Sequence, residues 1–246
     1  GSLLIMILYN FFIFLSIRDN NYLYYIFYIS AAIITQASQL GFMSFIFSSS
    51  PEFLNFSFPI FLNIDFLLGA IFCINFLNTK VHTPKIHKVI LFFLSLIFMS
   101  ICLNFISGYS LSMRLTMVTL ILLPIVVFIA GINAFVKGIK QARFFLIAWI
   151  PLLLSLIFIS LDSVGLIGSS FITYYSVQLG TWLEVIFLSL ALGDRINIIK
   201  KEKEEALNLK LVETQKVAAL SYALKKFVPE EFLACLGKGD ITNIKL

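Results

Sequence analysis

Residues 88–107 read KVILFFLSLIFMSICLNFIS, a run of 20 positions whose one charge is on its first residue. A helix rises about 1.5 Å per residue, so such a run covers the roughly 30 Å hydrocarbon core of a bilayer. The whole chain shares this character: 60% of its 246 residues are apolar and 13% are charged. In soluble domains roughly a quarter of the residues are charged. The sequence therefore predicts a membrane protein and excludes a soluble or a disordered one.

Seven segments of this kind follow one another, separated by short polar stretches. We expect helices, because the apolar runs are too long and unbroken for the alternating strands of a barrel. The predicted spans are residues 3–17, 22–40, 56–76, 88–107, 113–136, 143–161 and 171–198. The predicted fold is an all-α membrane protein, a bundle of seven transmembrane helices. The first span covers only about 22 Å, and we expect it to begin upstream of residue 1.

The basic residues between the spans predict the orientation of the chain. Lys and Arg concentrate in short cytoplasmic loops. The odd-numbered connections carry Arg18, Lys80, Lys85, Lys88, Lys137, Lys140 and Arg143, whereas the even-numbered ones carry Arg114. We therefore place the N-terminus outside and the C-terminus inside. A basic cytoplasmic face against the lipid bilayer explains the net charge of +5, and we do not expect nucleic acid as a partner.

Two acidic residues, Asp65 and Glu184, fall near the middle of predicted spans. Ionisable groups at that depth are costly and often mark a function. The alternative interpretation is a protonated carboxyl that an amide on a neighbouring helix holds by a hydrogen bond. The candidate amides are Asn63, Asn75, Gln178 and Gln36.

Aromatic residues near the ends of spans are interpreted as interfacial anchors. They are Tyr22, Tyr24, Tyr25, Tyr28, Trp149, Tyr174 and Tyr175. The chain offers no paired cysteines for a metal, and no carboxylate or Cys lies between His82 and His87. We expect no catalytic residue, metal or cofactor in this chain.

A change of composition follows the last span. After Asp194 and Arg195 comes KKEKEE at 200–205, and no Pro or Gly occurs from there to Pro229. The pattern predicts one helix that continues from the bundle into the cytoplasm. We assign residues 1–198 to the bundle, 199–228 to a cytoplasmic signalling helix and 229–246 to a further element. Asp194 and Arg195 are the predicted hinge to this output helix.

The predicted signalling helix has an apolar seam with heptad-like spacing. Its members are Val217, Leu220, Leu224 and Phe227. The 11-residue step from Ala206 to Val217 indicates a stutter, which locally unwinds a coiled coil. We expect a homodimer through this seam. The alternative is a single amphipathic helix on the inner leaflet.

Several polar insertions carry a family resemblance. They are Tyr9-Asn10, Ser16-Ile-Arg-Asp19, Gln178-Leu-Gly180 and Leu188-Ser-Leu-Ala-Leu-Gly-Asp-Arg-Ile196. With them, residues 3–199 resemble the bacterial seven-helix receptors with diverse intracellular signalling modules. Lys226-Phe-Val-Pro-Glu-Glu-Phe-Leu233, followed by Leu236-Gly-Lys238, resembles the lead-in to class III nucleotide cyclase domains.

The resemblance implies a sensory domain before the bundle and a cyclase after it, in a bacterial inner membrane. Such a cyclase would use Mg and ATP or GTP, and would lie outside this chain. The leading hypothesis is a transducing domain that couples an extracellular event to the cyclase through the seventh helix. The alternatives are a membrane anchor of a constitutive cyclase, or a small-solute transporter that uses Asp65 and Glu184.

Overall fold

The computed structural model describes residues 1–47, 51–106, 109–163, 165–168 and 170–227, and within these ranges all regular structure is helical. The prediction of an all-α protein is confirmed. In chain order the helices are α1 (Ser2–Ile17), α2 (Asn20–Gln39), α3 (Phe42–Ile46), α4 (Pro51–Phe76), α5 (Thr79–His82), α6 (Pro84–Ile106), α7 (Tyr109–Val136), α8 (Ala142–Ser163) and α9 (Phe171–Phe227).

The polar stretches that separate the predicted spans 22–40, 56–76 and 88–107 are helical in part. They contain the short helices α3 and α5, and α4 and α6 begin at Pro51 and Pro84 rather than near residues 56 and 88. Proline suits the first position of a helix, because its fixed φ is helical and the amide hydrogen it lacks would be unpaired there anyway. The prolines therefore start these helices ahead of their apolar runs.

Two residues connect α1 to α2. Arg18 adopts the left-handed conformation (φ 58°) and its backbone N–H donates to the carbonyl oxygen of Phe14. The Asp19 side chain then caps α2 by accepting from the backbone N–H of Asn21 at 3.0 Å. So tight a connection makes α1 and α2 antiparallel neighbours.

In the part of the chain that the structure describes, five helices, α4, α6, α7, α8 and α9, are long and apolar enough to cross a membrane, by length and composition. α1 is apolar but has only 16 residues, of which Leu3 and Asn10 are buried. α2 has 20 residues, nine of them buried, and carries Asn, Gln and Tyr along its length. Such polarity suits a helix that other helices enclose. The number of seven membrane crossings, and the side of the membrane on which each terminus lies, stay predictions.

The outer surface is apolar. Phe98 and Phe105 on α6 are 68% and 73% exposed, and Ile106 is 81% exposed. A contiguous surface of this kind would promote aggregation in water, whereas lipid tails solvate it. The exposed surface is therefore consistent with a membrane environment.

The chain divides into two compact units. The first, Gly1–Asp194, contains the helical bundle, and the second begins at Arg195. α9 runs without a break through Asp194 and Arg195, from Phe171 to Phe227. In the second unit every side chain of residues 200–220 is exposed.

Buried hydroxyl and amide groups join α4, α6 and α7. Asn63 donates from Nδ2 to Thr116 Oγ1 at 2.9 Å and to Ser100 Oγ at 3.3 Å. Ser100 and Ser112 also bond each other's carbonyl oxygens, at 3.0 Å each. All four residues are at most 1% exposed. Small polar side chains bind helices together in this way where no water competes.

Asn63→Leu should lower the free energy of unfolding of the purified protein by about 1–3 kcal/mol, because it removes a buried donor from this network. Asn75→Leu is the matched control. Asn75 lies on the same helix and donates to its own i−4 carbonyl, as Asn63 does, but it is exposed. Melting curves in detergent that are shifted equally by both substitutions would contradict this interpretation.

A glycine allows α8 and α9 to cross closely. A Cβ at Gly180 would lie 3.0 Å from the carbonyl oxygen of Pro151 and 2.9 Å from Ser155 Cβ. A backbone oxygen cannot move aside as a side chain can. The crossing therefore requires glycine at this position.

Gly180→Ala should destabilise the bundle by about 1–3 kcal/mol, the usual cost of overpacking. Gly193→Ala, on the same helix, is the control, because a Cβ there meets no heavy atom within 4 Å. The control should be neutral or slightly stabilising, since Ala has the higher helix propensity. The apparent melting temperature of each variant measures the difference, and a drop for Gly193→Ala as large as that for Gly180→Ala would refute the close-crossing argument.

Candidate functional site

Glu184 on α9 is fully buried, and a tyrosine on α2 holds its carboxyl group. Tyr28 Oη donates to Glu184 Oε2 at 2.8 Å. One residue further along α9, the carbonyl oxygen of Val185 accepts a hydrogen bond from Tyr25 Oη. Glu184, Val185 and Tyr25 are 0% exposed. Two tyrosine hydroxyls on one face of α2 therefore attach it to α9 in the interior of the bundle.

The interpretation as interfacial anchors was wrong for Tyr22, Tyr25, Tyr28 and Trp149, and it stays a prediction for the other three aromatic residues. Tyr22, Tyr25 and Tyr28 are 1%, 0% and 9% exposed, because their spacing of three residues keeps them on one face of α2 that turns inward. Trp149 is 7% exposed and packs on Phe145, with ring centroids 5.6 Å apart. Tyr24 and Tyr175 are half-buried, and the side chain of Tyr174 lies outside the described residues.

Two of the four candidate amide partners, Asn63 and Asn75, bond other groups, whereas Gln36 lines the same cavity as the two acids and stays a candidate, as does Gln178. Asn63 bonds Ser100 and Thr116, and Asn75 is exposed and bonds the carbonyl oxygen of Ile71. A hydroxyl, not an amide, holds Glu184. The general expectation of a buried carboxyl hydrogen-bonded to a neighbouring helix is correct for Glu184. The sequence could not identify Tyr28 as the partner of Glu184, because a tyrosine near the end of a span can equally be an interfacial anchor.

Asp65 and Glu184 line the same cavity. Its volume is about 490 Å³, and α2, α4, α7, α8 and α9 all contribute to its wall. Most of the lining side chains are aliphatic or aromatic, and the described residues that line it include no Lys, Arg or His. The structure thus brings together the two intramembrane acids that the sequence singled out.

Several polar atoms in the wall have no hydrogen-bond partner among the described residues. They are Asp65 Oδ1, Glu184 Oε1, Thr35 Oγ1 and Trp149 Nε1. All four are buried and belong to residues that line the cavity. A buried polar atom without a partner costs about 1–3 kcal/mol. The cavity therefore has the features of a binding site, an apolar space with a few convergent polar groups.

Gly69 on α4 makes room for the tyrosine that holds Glu184. A Cβ at this position would lie 3.1 Å from Tyr28 Cε2. The Tyr28 ring is also stacked parallel to Phe72, with centroids 6.4 Å apart and an interplanar angle of 2°. Neither Gly69 nor Phe72 carries a chemical group that marks a site, so the sequence pattern gives no sign of their role.

Asp194 pairs with Arg143 at the end of the bundle unit. Arg143 Nη2 donates to the two carboxylate oxygens at 3.2 and 3.3 Å. The guanidinium also lies 4.7 Å from the centroid of the Phe144 ring. This ion pair connects the start of α8 to α9. The hinge role of Asp194 and Arg195 stays a prediction, and α9 is continuous there.

Part of the predicted seam lies on the described helix surface. Val217 and Leu220 are 52% and 62% exposed. Leu224 and Phe227 belong to α9, but their side chains lie outside the described residues, as does the whole segment 228–246. The domain boundaries and the dimer remain predictions.

A family comparison identifies this bundle. The family model described as 7TM diverse intracellular signalling matches residues 1–195. The chain belongs to this family. The match ends beside Asp194, where the compact bundle unit ends. No curated protein and no solved structure matches the chain.

Membership confirms the family resemblance drawn from the polar insertions. The 7TM diverse intracellular signalling family is a family of signalling transmembrane domains rather than of enzymes. The chain is accordingly part of a multi-pass, signal-transducing membrane protein. The lead-in at residues 226–246 lies beyond the match.

Tyr28→Phe should destabilise the bundle by about 1–3 kcal/mol, because the buried carboxyl of Glu184 loses its donor while the ring keeps its packing. Tyr24→Phe makes the same chemical change on the same helix, at a half-buried residue outside the cavity wall. Thermal unfolding in detergent or nanodiscs compares the two. If the melting temperature of Tyr28→Phe equals those of Tyr24→Phe and the parent protein, the hydrogen bond does not hold α2 on α9.

Proposed function

We propose that this chain is the transducing part of a bacterial receptor, in which the bundle couples an extracellular sensory event to a cytoplasmic class III nucleotide cyclase. The bundle has seven crossings, with the N-terminus outside and the C-terminus inside. A sensory domain precedes it and the cyclase, with Mg and ATP or GTP, follows it. The protein resides in the inner membrane.

The continuity of α9 carries this proposal. One helix contains Glu184, which Tyr28 holds inside the bundle, and the exposed apolar residues Val217 and Leu220. A rotation or shift of α9 at Glu184 therefore reaches the seam without crossing a loop. Family membership supports the signalling role, and the lead-in resemblance of residues 226–246 supports the cyclase.

The proposed output state is a parallel homodimer. Val217 and Leu220 are exposed on a helix whose residues 200–220 are all exposed, so burial against a second copy would remove apolar surface from water. The 11-residue step from Ala206 to Val217 gives the coiled coil two packings that differ by a few kcal/mol. Asp194 and Arg195 mark where the bundle passes its motion to this helix.

Insertion of one alanine between Val212 and Glu213 tests the helix-register mechanism in the full-length receptor. One residue rotates everything that follows by about 100°. Insertion of seven alanines is the matched control, because a heptad nearly restores the register of the seam. The one-residue insertion should change cyclic nucleotide output several-fold, and the seven-residue insertion should leave it near the parent level.

The output is measured as cyclic AMP and cyclic GMP in cells that carry equal amounts of each variant in the membrane fraction. Unchanged output after the one-residue insertion would overturn the register mechanism. If neither nucleotide rises above the level of cells without the receptor, the cyclase assignment fails.

A further inference from the structure

The wall of the cavity in the bundle contains buried polar atoms that have no hydrogen-bond partner among the described residues. Glu184 is 0% exposed, Thr35 is 6% and Trp149 is 7%, and each has a buried polar atom without a partner among the described residues. Asp65 adds a fourth such atom, Oδ1. The family membership and the proposed output helix leave these groups unexplained.

The lining chemistry discriminates among ligands. Asp65 and Glu184 present acceptor oxygens, and no cationic side chain occurs among the described residues of the wall. An anion would meet two acids with no counter-charge, which is unfavourable at low dielectric. A purely apolar molecule would leave Asp65 Oδ1 and Glu184 Oε1 without a partner. A cation with N–H donors satisfies both.

We infer that the cavity binds an organic ammonium ion, a cationic amine on an apolar body. The ammonium donates to Asp65 Oδ1 and Glu184 Oε1, which share the cavity wall, and supplies the positive charge that the described residues of the wall lack. Tyr28 keeps its hydrogen bond to the other oxygen of Glu184, so it positions the acid without competing for the ligand.

The rest of the wall fits the apolar body. Leu62, Phe66, Leu120, Leu152 and Leu156 contribute aliphatic and aromatic surface. Tyr28, Phe72 and Trp149 add aromatic rings, which attract cations through their quadrupoles. A volume of about 490 Å³ lies within the usual range for pockets that enclose a small organic ligand.

Any effect of this ligand on signalling rests on the proposed function, because it would act through Glu184 and the output seam, which share α9. Binding of the ligand does not depend on the proposed function. A binding measurement on the purified chain therefore fails or succeeds independently of any cyclase readout.

The two tryptophans of the chain make the measurement direct. Trp149 lines the cavity, whereas Trp182 is 44% exposed and does not. In a Trp182→Phe background, Trp149 is the single tryptophan reporter. The protein in nanodiscs of neutral lipid is titrated with 4-phenylbutylammonium, and with 4-phenylbutanol and 4-phenylbutanoate as neutral and anionic probes of similar size.

The ammonium should change Trp149 fluorescence saturably, with an affinity at least tenfold higher than that of the alcohol or the carboxylate. Glu184→Gln and Asp65→Asn should each weaken ammonium binding at least tenfold and change alcohol binding less than twofold. Both substitutions keep the size of the side chain, and an unchanged size-exclusion profile shows that each variant is folded.

Equal affinity for the three probes would overturn the proposal and indicate a general apolar cavity. So would ammonium binding that survives in the Asp65→Asn, Glu184→Gln double variant, or the absence of saturable binding by any probe. A response to sodium chloride alone that Asp65→Asn removes would assign the site to an inorganic cation instead.

Discussion

A carboxyl group buried among helices is costly unless a hydrogen-bond donor compensates for its lost hydration, and Tyr28 supplies that donor to Glu184. The bond sets the position of α2 against α9. Tyr25 repeats the attachment one residue along α9, through the carbonyl oxygen of Val185. Because the Tyr28 ring packs against both Phe72 and Gly69 on α4, the same side chain also limits how closely α4 approaches α2. Three helices are thus positioned by one buried tyrosine.

A second set of polar contacts holds α4 to α6 and α7. Asn63 lies two residues before Asp65, so the amide network and the cavity wall are adjacent on one helix. Hydrophobic burial alone does not orient helices in lipid, because the surrounding tails are as apolar as the side chains. Packing and hydrogen bonds must do so, and here they leave Asp65 facing a space that protein atoms do not fill.

The predictions from sequence were reliable where a property depends on local composition. Apolar run length predicted the long helices, and the scarcity of Pro and Gly after Arg195 agreed with the uninterrupted α9. They were wrong at the starts of two helices. Hydropathy predicts starts near residues 56 and 88, whereas the helices begin at Pro51 and Pro84. The predictions were also wrong for Tyr22, Tyr25 and Tyr28, since a position near a span end favours an anchor whether the ring faces lipid or a neighbouring helix.

The sequence by itself determined the class of the protein: its apolar content required a membrane, and its ordered polar insertions identified a signalling family with a seven-helix domain. It also singled out Asp65 and Glu184, because an acid within an apolar run is visible in one dimension. The tertiary structure decided that both acids line one cavity and that Tyr28 holds one of them. Those facts depend on the rotation and axial shift of each helix, which packing between helices sets and a linear pattern does not contain.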